Sequence, residues 1–504
     1  MSEPVRYLSR DDRVAFTPVH VVWEITLACD LKCQHCGSRA GKRRPEELST
    51  AECLDLVRQL ARLGTREVTL IGGEAYLRRD WLEIIREVRD QGMDCTLQSG
   101  ALNMTEERIK LAIDAGLQAL GVSIDGLPAL HDQLRGVKGS FAAAYRALKL
   151  VRKHGLRSSV NTQITSQVIP QLRELMNLFI EAGASNWQIQ LTVAMGRAAD
   201  HPELLLQPYE LLTLMPMLAE IYPEASDHGL LIQPGNNIGY FGPYESMWRG
   251  SGDDRVHWTG CNAGQNTMGI EADGAIKGCP SLPTSSYTGG NVRDLTVEDI
   301  WKKTDELSFT RTRTTDDLWG FCQSCYYADV CRAGCTWTTH VLFGKPGNNP
   351  YCHHRALELS RQGLRERIVQ IEAAEGVPFD HGRFALIQED TEAGGRKQEA
   401  DGRRQAAGAV AGAGAPLLGN KLVQITGGRK RNDKRSTPRP RIVQLEDLIL
   451  CRGCNQYVMP DTVTCPFCEG NIKSLAKTYD KNLREARRAY ERLLKLLPAM
   501  PAGV

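Results

Sequence analysis

The sequence contains neither a long apolar run nor a strong excess of charge of one sign. No stretch approaches the roughly 18 consecutive apolar residues that cross a membrane, and the opening residues MSEPVRYLSRDDRVAF lack the apolar core of a secretory signal. The formal net charge is only +2, which gives no overall indication of nucleic-acid binding. We therefore expect a soluble cytoplasmic protein, with neither a membrane nor a nucleic acid as partner.

Cysteine, in contrast, is abundant. The 504 residues include 16 cysteines, and without a secretory signal they are not expected to form structural disulfides, because the cytosol keeps thiols reduced. Metal binding is the remaining use for clustered thiols. Three cysteines lie within residues 29–36, seven within 261–352 and four within 451–468. Cys53 and Cys95 stand alone and are expected to be buried as small hydrophobic residues.

From residue 19 the hydrophobic pattern alternates between strands and helices. The strand-like segments, in chain order, are VHVVWEITL, EVTLIGG, DCTLQSG, LQALGVSIDG, RSSVNTQI and NWQIQLTV. The first intervening helix has Ser49 as candidate N-cap, Glu52 three residues on and Gly64 at its end. Further helices are predicted over 80–90, 105–115, 141–154 and 169–182. Six such units predict an α/β fold with a parallel sheet, closed only in part as a (β/α)6 barrel.

Composition divides the rest of the chain. We predict an N-terminal extension (1–18), the partial barrel with a less regular bridge (19–255), a cysteine-rich domain (256–375), a flexible Gly/Ala-rich and basic linker (376–447), a small cysteine module (448–470) and an amphipathic helix (471–504). The basic run GGRKRNDKRSTPRPR is interpreted as solvated linker, since no aromatic residue is interleaved, with contact to nucleic acid or an acidic peptide as the alternative. The helix is expected to pack on the neighbouring module, with partner binding as the alternative.

The first cysteine group, Cys29, Cys33 and Cys36, is one ligand short of a closed tetrahedral site. A [4Fe–4S] cluster has four irons that each take one protein ligand, so three cysteines leave one iron open. An open iron can bind a substrate, as a catalytic zinc does, and S-adenosylmethionine can chelate it through its amino and carboxylate groups. One electron then cleaves a C–S bond and yields a 5′-deoxyadenosyl radical. A zinc site with His35 as fourth ligand is the alternative.

The spacing C-x3-C-x2-C directly after an apolar strand resembles the radical SAM superfamily, and the resemblance extends over roughly residues 19–255. It implies that Gly72, Gly73 and Glu74 (GGE) meet the amino group of S-adenosylmethionine, although Ala75 stands where proline is usual. It also implies that Ser123 of SIDG belongs to the cofactor site and that Arg135 reaches the cofactor carboxylate. Gly196 and Arg197 (MGRA) follow the sixth strand as in relatives, and His35 stands where many relatives have an aromatic residue. The catalytic acid or base is unknown.

The second cysteine group resembles the seven-cysteine SPASM extension of peptide and protein maturases. The pattern is Cys261-x12-Gly274-x4-Cys279, then Cys322-x2-Cys325-x5-Cys331-x3-Cys335, then Cys352. The resemblance implies two auxiliary [4Fe–4S] clusters, one held by Cys261, Cys279 and Cys335 and the other by Cys322, Cys325, Cys331 and Cys352. A pair of zinc sites is the alternative, but seven ligands divide poorly between two closed sites.

The third cysteine group has the double C-x2-C spacing of a zinc ribbon, through Cys451, Cys454, Cys465 and Cys468. Four thiolates make a closed tetrahedral, and hence structural, zinc site. A third auxiliary iron–sulfur cluster is the alternative.

The family resemblance implies an oxidoreductase-type enzyme that oxidatively modifies a ribosomally synthesised precursor peptide, with a flavodoxin- or ferredoxin-type electron donor. Only about 18 residues precede the first strand, which is too few for a leader-binding domain. Leader recognition is therefore expected from a separate leader-binding protein, from the rim of the barrel, or from the C-terminal ribbon and helix. Sulfatase maturation is not favoured, because Pro280 stands where sulfatase-maturing relatives have an aspartate. A weaker resemblance is to maturases of peptides with a Gly-Asp-Leu motif. The alternatives are maturation of a modified haem, a peptide-derived quinone or a protein side chain, and, from another class, a non-catalytic iron–sulfur electron-transfer or scaffold protein.

Overall fold

A computed structural model describes residues 6–250, 255–391 and 448–496. The chain divides into two compact units. The first unit comprises Met1–Tyr240 and Thr259–Arg441, and the second comprises Phe241–Trp258 and Ile442–Val504.

One large sheet organises the first unit. Its first seven strands are β1 (His20–Glu24), β2 (Glu67–Ile71), β3 (Asp94–Ser99), β4 (Ala119–Ser123), β5 (Arg157–Ile164), β6 (Asn186–Leu191) and β7 (Leu231–Pro234). They lie side by side in chain order and are all parallel. The six predicted strands and the parallel α/β architecture are therefore confirmed, and the carboxyl ends of the strands lie along one edge, where ligands of such sheets bind.

Three further strands extend this sheet beyond β1. They are β8 (Thr267–Ile270), β9 (Ala275–Lys277) and β10 (Thr288–Asn291). β8 is parallel to β1, with His20 opposite Thr267, and β9 and β10 follow as antiparallel neighbours. The cysteine-rich region thus continues the sheet of the partial barrel.

Helices connect the parallel strands where the pattern predicts them. The helix Thr50–Arg62 begins at Ser49, whose side chain accepts from the Glu52 backbone N–H while the Glu52 side chain accepts from Ser49. The other α-helices among the described residues of the first unit are Arg10–Ala15, Trp81–Asp90, Glu106–Asp114, Pro128–Arg135, Ser140–Lys153, Leu172–Glu181, Arg197–Asp200, Leu211–Asp227, Thr284–Tyr287, Val297–Lys303, Asp305–Ser308, Ala328–Cys331, Thr336–Phe343 and His353–Arg361.

The expected irregular bridge over residues 200–255 is more ordered than the sequence suggests. It contains the 17-residue helix Leu211–Asp227 and the strand β7, which pairs with β6. Pro216 and Pro223 lie inside the helix, and proline normally interrupts a helical pattern. These two residues obscured the helix in the sequence.

A long antiparallel hairpin follows the helix His353–Arg361. It consists of β11 (Leu364–Glu372) and β12 (Arg383–Asp390). The loop between them is anchored, since Phe379 and Asp380 are buried and the Asp380 carboxylate accepts from Arg39 at 2.7 Å. The predicted linker boundary at residue 376 therefore falls inside this hairpin. The Gly/Ala-rich and basic parts of the predicted linker lie outside the described residues.

The second unit joins a cysteine hairpin to a distant segment of chain. The strands β13 (Ile449–Leu450) and β14 (Tyr457–Val458) pair antiparallel. The Tyr457 hydroxyl donates to the Val256 carbonyl at 3.1 Å, and its ring meets His257 edge-on. The segment Phe241–Trp258 thus belongs to the same unit as the ribbon, whereas its residues up to 255 were predicted as bridge and its last three as part of the cysteine-rich domain. The helices Glu245–Gly250 and Ile472–Leu496 complete the unit.

The helix Ile472–Leu496 packs on the ribbon only near its start. Leu475 contacts the apolar group of the ribbon, whereas Tyr479, Leu483 and Tyr490 are 39%, 55% and 61% exposed. Arg452 of the ribbon lies 4.4 Å from the centre of the Tyr479 ring, so packing on the neighbouring module accounts for the first two turns of this helix. Among the described helices, none is long and apolar enough to span a membrane.

Candidate active site and metal centres

The loop that follows β1 brings Cys29, Cys33 and Cys36 together; residues 29–36 are called the cysteine loop below. Cys33 is buried, and the other two thiols are partly exposed. Burial raises the pKa of Cys29, and the thiolates of Cys33 and Cys36 are near enough to add to this shift. The backbone of the loop is fixed by bonds from Cys29 N to Gly41 O (3.1 Å) and from Gly41 N to Leu27 O (2.9 Å).

Gly72 and Gly73 let the end of β2 touch the chain that leads into this loop. A Cβ on Gly72 would lie 2.3 Å from the Thr26 carbonyl, and a Cβ on Gly73 would lie 2.0 Å from the Ala28 carbonyl. No side chain fits at such distances. The two glycines therefore place Glu74 directly beside Cys29.

Glu74 is a buried carboxylate held by two donors. Ser99 Oγ donates to it at 2.5 Å and Gly100 N at 2.6 Å. Burial raises the pKa of Glu74 to about 7, and these two hydrogen bonds partly oppose the shift. A Glu74 oxygen, an Asp30 oxygen and Cys29 Sγ all lie within 4.8 Å of one another, so two carboxylates meet beside the first cysteine.

Arg135 is part of a buried ion-pair chain. Its NH2 lies 2.5 Å from Asp125 Oδ2, and the same oxygen lies 2.9 Å from His35 Nε2. The NH1 donates to Cys33 Sγ at 3.6 Å. Burial opposes the ionised form of Asp125, but the charges of Arg135 and His35 hold the pKa of Asp125 well below its usual range. Asp125 lies in the SIDG motif, but its role was not apparent from the sequence.

These groups fit the amino-acid part of S-adenosylmethionine. Arg135 Nε is buried and finds no acceptor among the described residues, and Asp30 Oδ1 is likewise buried without a donor. An unmatched buried donor suits a ligand carboxylate, and two adjacent carboxylates suit a ligand ammonium. The unmatched donor of Arg135 and the two carboxylates beside Cys29 are therefore complementary to a zwitterionic ligand.

Gly196 and Arg197, which follow β6, contact the backbone of the cysteine loop. Gly196 has φ 59°, and a Cβ there would lie 2.4 Å from the Cys36 carbonyl. Arg197 N donates to Cys36 O at 2.9 Å, and its Nε donates to Cys33 O at 2.6 Å. Arg197 is thus a positioning residue for two of the three cysteines.

Ser123 ends β4 on the open face of the sheet, together with a group of amide side chains. Ser123 is opposite Asn161, which is opposite Gln188, and Gln163 is opposite Gln190. Trp187, on the other face of β6, packs against Phe179 of the helix Leu172–Glu181. The open face therefore carries several amides, and five of them are called the amide face below: Gln98, Asn161, Gln163, Gln188 and Gln190.

The seven cysteines of residues 261–352 fall into two groups in space. Burial raises the pKa of Cys335 to about 12, and the thiolates of Cys261 and Cys279 contribute to it. Burial likewise raises the pKa of Cys331, and its thiolate neighbours are Cys352, Cys322 and Cys325. The structure thus brings together the three-cysteine and four-cysteine sets expected for two auxiliary clusters.

Arg355, which the sequence analysis missed, lies beside the four-cysteine set. It donates to both carboxylate oxygens of Glu366 in β11, at 2.6 and 2.7 Å. Burial raises the pKa of Cys322, and the Arg355 charge opposes that shift. The only signal in the sequence is its position three residues after Cys352.

The four cysteines of the ribbon meet closely. All four sulfurs lie within 4.8 Å of one another, with Cys451 Sγ 3.7 Å from Cys468 Sγ and Cys454 Sγ 3.7 Å from Cys465 Sγ. Zn–S bonds of about 2.3 Å in a tetrahedron place neighbouring sulfurs about 3.8 Å apart. A [4Fe–4S] cluster separates its thiolates further, since each binds a different iron. The sulfur spacing therefore fits one metal ion.

Comparisons with known proteins concern both parts of the first unit. Residues 23–178 match the Radical SAM superfamily model, and residues 261–326 match the SPASM iron–sulfur cluster-binding domain. The chain is 31% identical over 358 residues to the AdoMet-dependent heme synthase of Oleidesulfovibrio alaskensis, covering 66% of this chain and 87% of that protein. It is 28% identical over 363 residues to the mycofactocin maturase MftC of Mycobacterium tuberculosis, covering 70% and 87%.

Solved structures of the Streptococcus suis protein SuiB have a similar fold. SuiB bound to S-adenosylmethionine gives a TM-score of 0.52 at 18% identity, covering 64% of this chain and 73% of that chain. SuiB bound to the precursor peptide SuiA gives 0.50 at 19% identity, covering 64% and 72%.

Proposed function

Because the chain belongs to the radical SAM superfamily and is a radical SAM enzyme with a SPASM domain, we propose that its substrate is a ribosomally synthesised precursor peptide, which it modifies oxidatively. Its cofactors are a [4Fe–4S] cluster with S-adenosylmethionine and SPASM auxiliary clusters. When bound, they supply one electron for C–S cleavage and a radical that abstracts hydrogen from the substrate. The protein's own residues bind, orient and shield these groups.

We assign the cofactor contacts by charge. Cys29, Cys33 and Cys36 hold the cluster, and Glu74 with Asp30 accepts the ammonium of S-adenosylmethionine. Arg135 donates to its carboxylate, and Asp125 keeps Arg135 charged and oriented. The auxiliary clusters are assigned to Cys261, Cys279 and Cys335, and to Cys322, Cys325, Cys331 and Cys352. The ribbon is assigned one zinc ion.

The side chains of the amide face select the substrate in this proposal. Gln98 lies over Gly121, where a Cβ would be 1.9 Å from Gln98 Oε1, and Asn161 donates to Gln98 at 2.5 Å. Each amide offers both donors and acceptors, which is the pattern that a peptide backbone presents. A face of paired amides beside the radical source therefore suits a neutral, amide-rich substrate.

Maturation of a haem-type cofactor is the second candidate, and the identity to a heme synthase favours it. Porphyrin precursors carry several carboxylates, for which arginine and lysine are the matching donors. On the open face of β3 to β7, the described strand residues include no lysine and one arginine, Arg157, at the amino end of β5. This charge pattern favours the peptide.

The test is an anaerobic turnover assay with reduced enzyme and S-adenosylmethionine. Peptides encoded by short reading frames beside the gene are compared with a carboxylated porphyrin. We expect one of the peptides to increase 5′-deoxyadenosine formation and to lose two hydrogen masses. Stimulation by the porphyrin alone would contradict the proposal.

Two variants connect the assay to the amide face. Gln188→Leu and Gln190→Leu should raise the KM for peptide and leave substrate-free cleavage of S-adenosylmethionine unchanged. Gln91→Leu, on an exposed turn after the helix Trp81–Asp90, is the matched control and should change neither quantity. An unchanged KM for peptide in both variants would show that the amide face does not bind the substrate.

A further inference from the structure

A short route of packed side chains joins the cysteine loop to the three-cysteine auxiliary site. It begins at Gly37, directly after Cys36. A Cβ on Gly37 would lie 3.2 Å from Met195 Cε, and Trp337 Nε1 donates to Met195 Sδ at 3.2 Å. Met195 is thus in contact with the edge of one site and with Trp337.

Trp337 reaches the second site. It packs on a buried group against which Cys261 and Cys279 also pack; this group is Ala263, Leu282 and Tyr287. It also lies two residues after Cys335, in the first turn of the helix Thr336–Phe343. Trp337 therefore shares a packed group with Cys261 and Cys279 and lies close to Cys335 along the chain.

The contact between Met195 and Trp337 is enclosed by apolar side chains. Met195 is 2% exposed and packs with Val193, Val341 and Phe379. A thioether against an indole is a polarizable pair in close contact. Met195 and Trp337 thus form a continuous packed contact from Gly37 to the buried group beside Cys261 and Cys279.

We propose that Met195 and Trp337 carry one electron between the auxiliary site of Cys261, Cys279 and Cys335 and the cluster site of Cys29, Cys33 and Cys36. This inference rests on the proposed cluster assignments and, for its role in turnover, on oxidative chemistry. After hydrogen abstraction, the substrate radical loses one electron and one proton to form the oxidised product. The electron enters the auxiliary site and passes through Trp337 and Met195. It replaces the electron that was spent in breaking the C–S bond.

The experiment needs no substrate, so its result is independent of which substrate is correct. The holoenzyme is fully reduced, excess reductant is removed by anaerobic gel filtration, and S-adenosylmethionine is added. 5′-Deoxyadenosine is counted per protein, and the auxiliary-cluster signals are followed by freeze-quench electron paramagnetic resonance. Wild-type protein should form more than one equivalent, because electrons from the auxiliary site support further cleavage as its signal decays.

The test variants are Trp337→Leu and Met195→Leu. Both should keep the first equivalent of product, form the later product several-fold more slowly, and retain a reduced auxiliary signal. The matched controls are Trp319→Leu, a half-buried indole in the same domain, and Met176→Leu in the helix Leu172–Glu181. The controls should behave as wild type. If Trp337→Leu loses iron, Met195→Leu, which keeps the volume nearly constant, decides the test.

Two results would overturn the proposal. The first is later product and signal decay at wild-type rates in Met195→Leu. The second is loss of the first equivalent in a variant with full iron content, which would place these residues in the S-adenosylmethionine site instead.

Discussion

The cysteine loop and the ribbon both gather thiols in a short stretch of chain, yet their surroundings differ. The ribbon sulfurs lie among apolar side chains, including Val458, Ile472 and Phe467, with paired sulfurs 3.7 Å apart. The loop thiols lie beside Glu74, Asp125 and Arg135. One site has four thiolates and an apolar shell, and the other has three thiolates and a charged shell.

This difference separates a closed metal site from an open one. A metal that is saturated by protein ligands needs only packing around it. A site that must also bind a zwitterion needs charged groups with atoms left for the ligand, such as Arg135 Nε and Asp30 Oδ1, for which the described residues offer no hydrogen-bond partner. The shell around the cysteines therefore carries as much functional information as their number.

The largest effect is expected from removing a loop cysteine. Cys33→Ala should abolish 5′-deoxyadenosine formation, because three thiolates are needed to hold the cluster that binds S-adenosylmethionine. Product is measured by chromatography, and the auxiliary clusters are measured by iron content and electron paramagnetic resonance. Cys53→Ala, at a buried lone cysteine, is the control and should remain active. If Cys33→Ala still cleaved S-adenosylmethionine, the cysteine loop would not be the open cluster site.

A smaller loss is expected when the charged shell is disturbed and the cysteines are kept. Asp125→Asn removes the charge that faces Arg135 and His35, and loss of such an outer partner typically costs about 10–100-fold in activity or metal affinity. The Kd for S-adenosylmethionine should rise while the iron content stays constant. Asp114→Asn, at an exposed carboxylate, is the control. Equal affinity in Asp125→Asn and wild type would show that the shell does not orient the ligand.

The free energy of unfolding should depend on pH through Glu24, which lies at the end of β1 before the cysteine loop. Glu24 is buried at the end of β1, and its Oε1 lies 3.0 Å from Arg44 Nε. Burial raises the pKa of Glu24 from 4.5 to about 7. The negative charge of Glu271 adds to this shift, and the positive charge of Arg44 opposes it. An acid with a raised pKa stabilises the fold at low pH and loses that contribution as pH rises toward 7. Glu24→Gln should therefore gain about 2 kcal/mol relative to wild type between pH 5.5 and pH 8.

Thermal or denaturant unfolding of the two proteins at both pH values measures this difference. Glu83→Gln, at an exposed position of the helix Trp81–Asp90, is the control. An unchanged stability difference between the two pH values would mean that Arg44 holds Glu24 ionised throughout this pH range, and would contradict the prediction.

The sequence predicted the elements that depend on local pattern. The six strands, the Ser49 capping box and the three cysteine groups follow from alternation, spacing and residue type within short windows. Contacts between distant segments were not predictable. Asp125 acquires its role only when helix Pro128–Arg135 returns to β4, and Tyr457 meets Val256 across 201 positions. The helix around Pro216 was hidden because tertiary packing overrides the local cost of proline.

The smallest effect on catalysis is expected at the ribbon. Cys454→Ser should lower the zinc content by one ion per chain, because a closed site loses a ligand, and it should leave substrate-free cleavage of S-adenosylmethionine unchanged. Metal content by mass spectrometry and product formation are measured on the same sample. Iron at this site would contradict the zinc assignment, and loss of cleavage would make the ribbon part of the catalytic core.

The most direct test of the open site is electron–nuclear double resonance on the reduced enzyme with labelled S-adenosylmethionine. Cys322→Ala is included to reduce the auxiliary signals. We predict hyperfine coupling from both the ¹⁵N-labelled amino group and the ¹⁷O-labelled carboxylate to the cluster held by Cys29, Cys33 and Cys36. Absence of both couplings in protein that binds S-adenosylmethionine and retains this cluster would contradict an open iron in the cysteine loop.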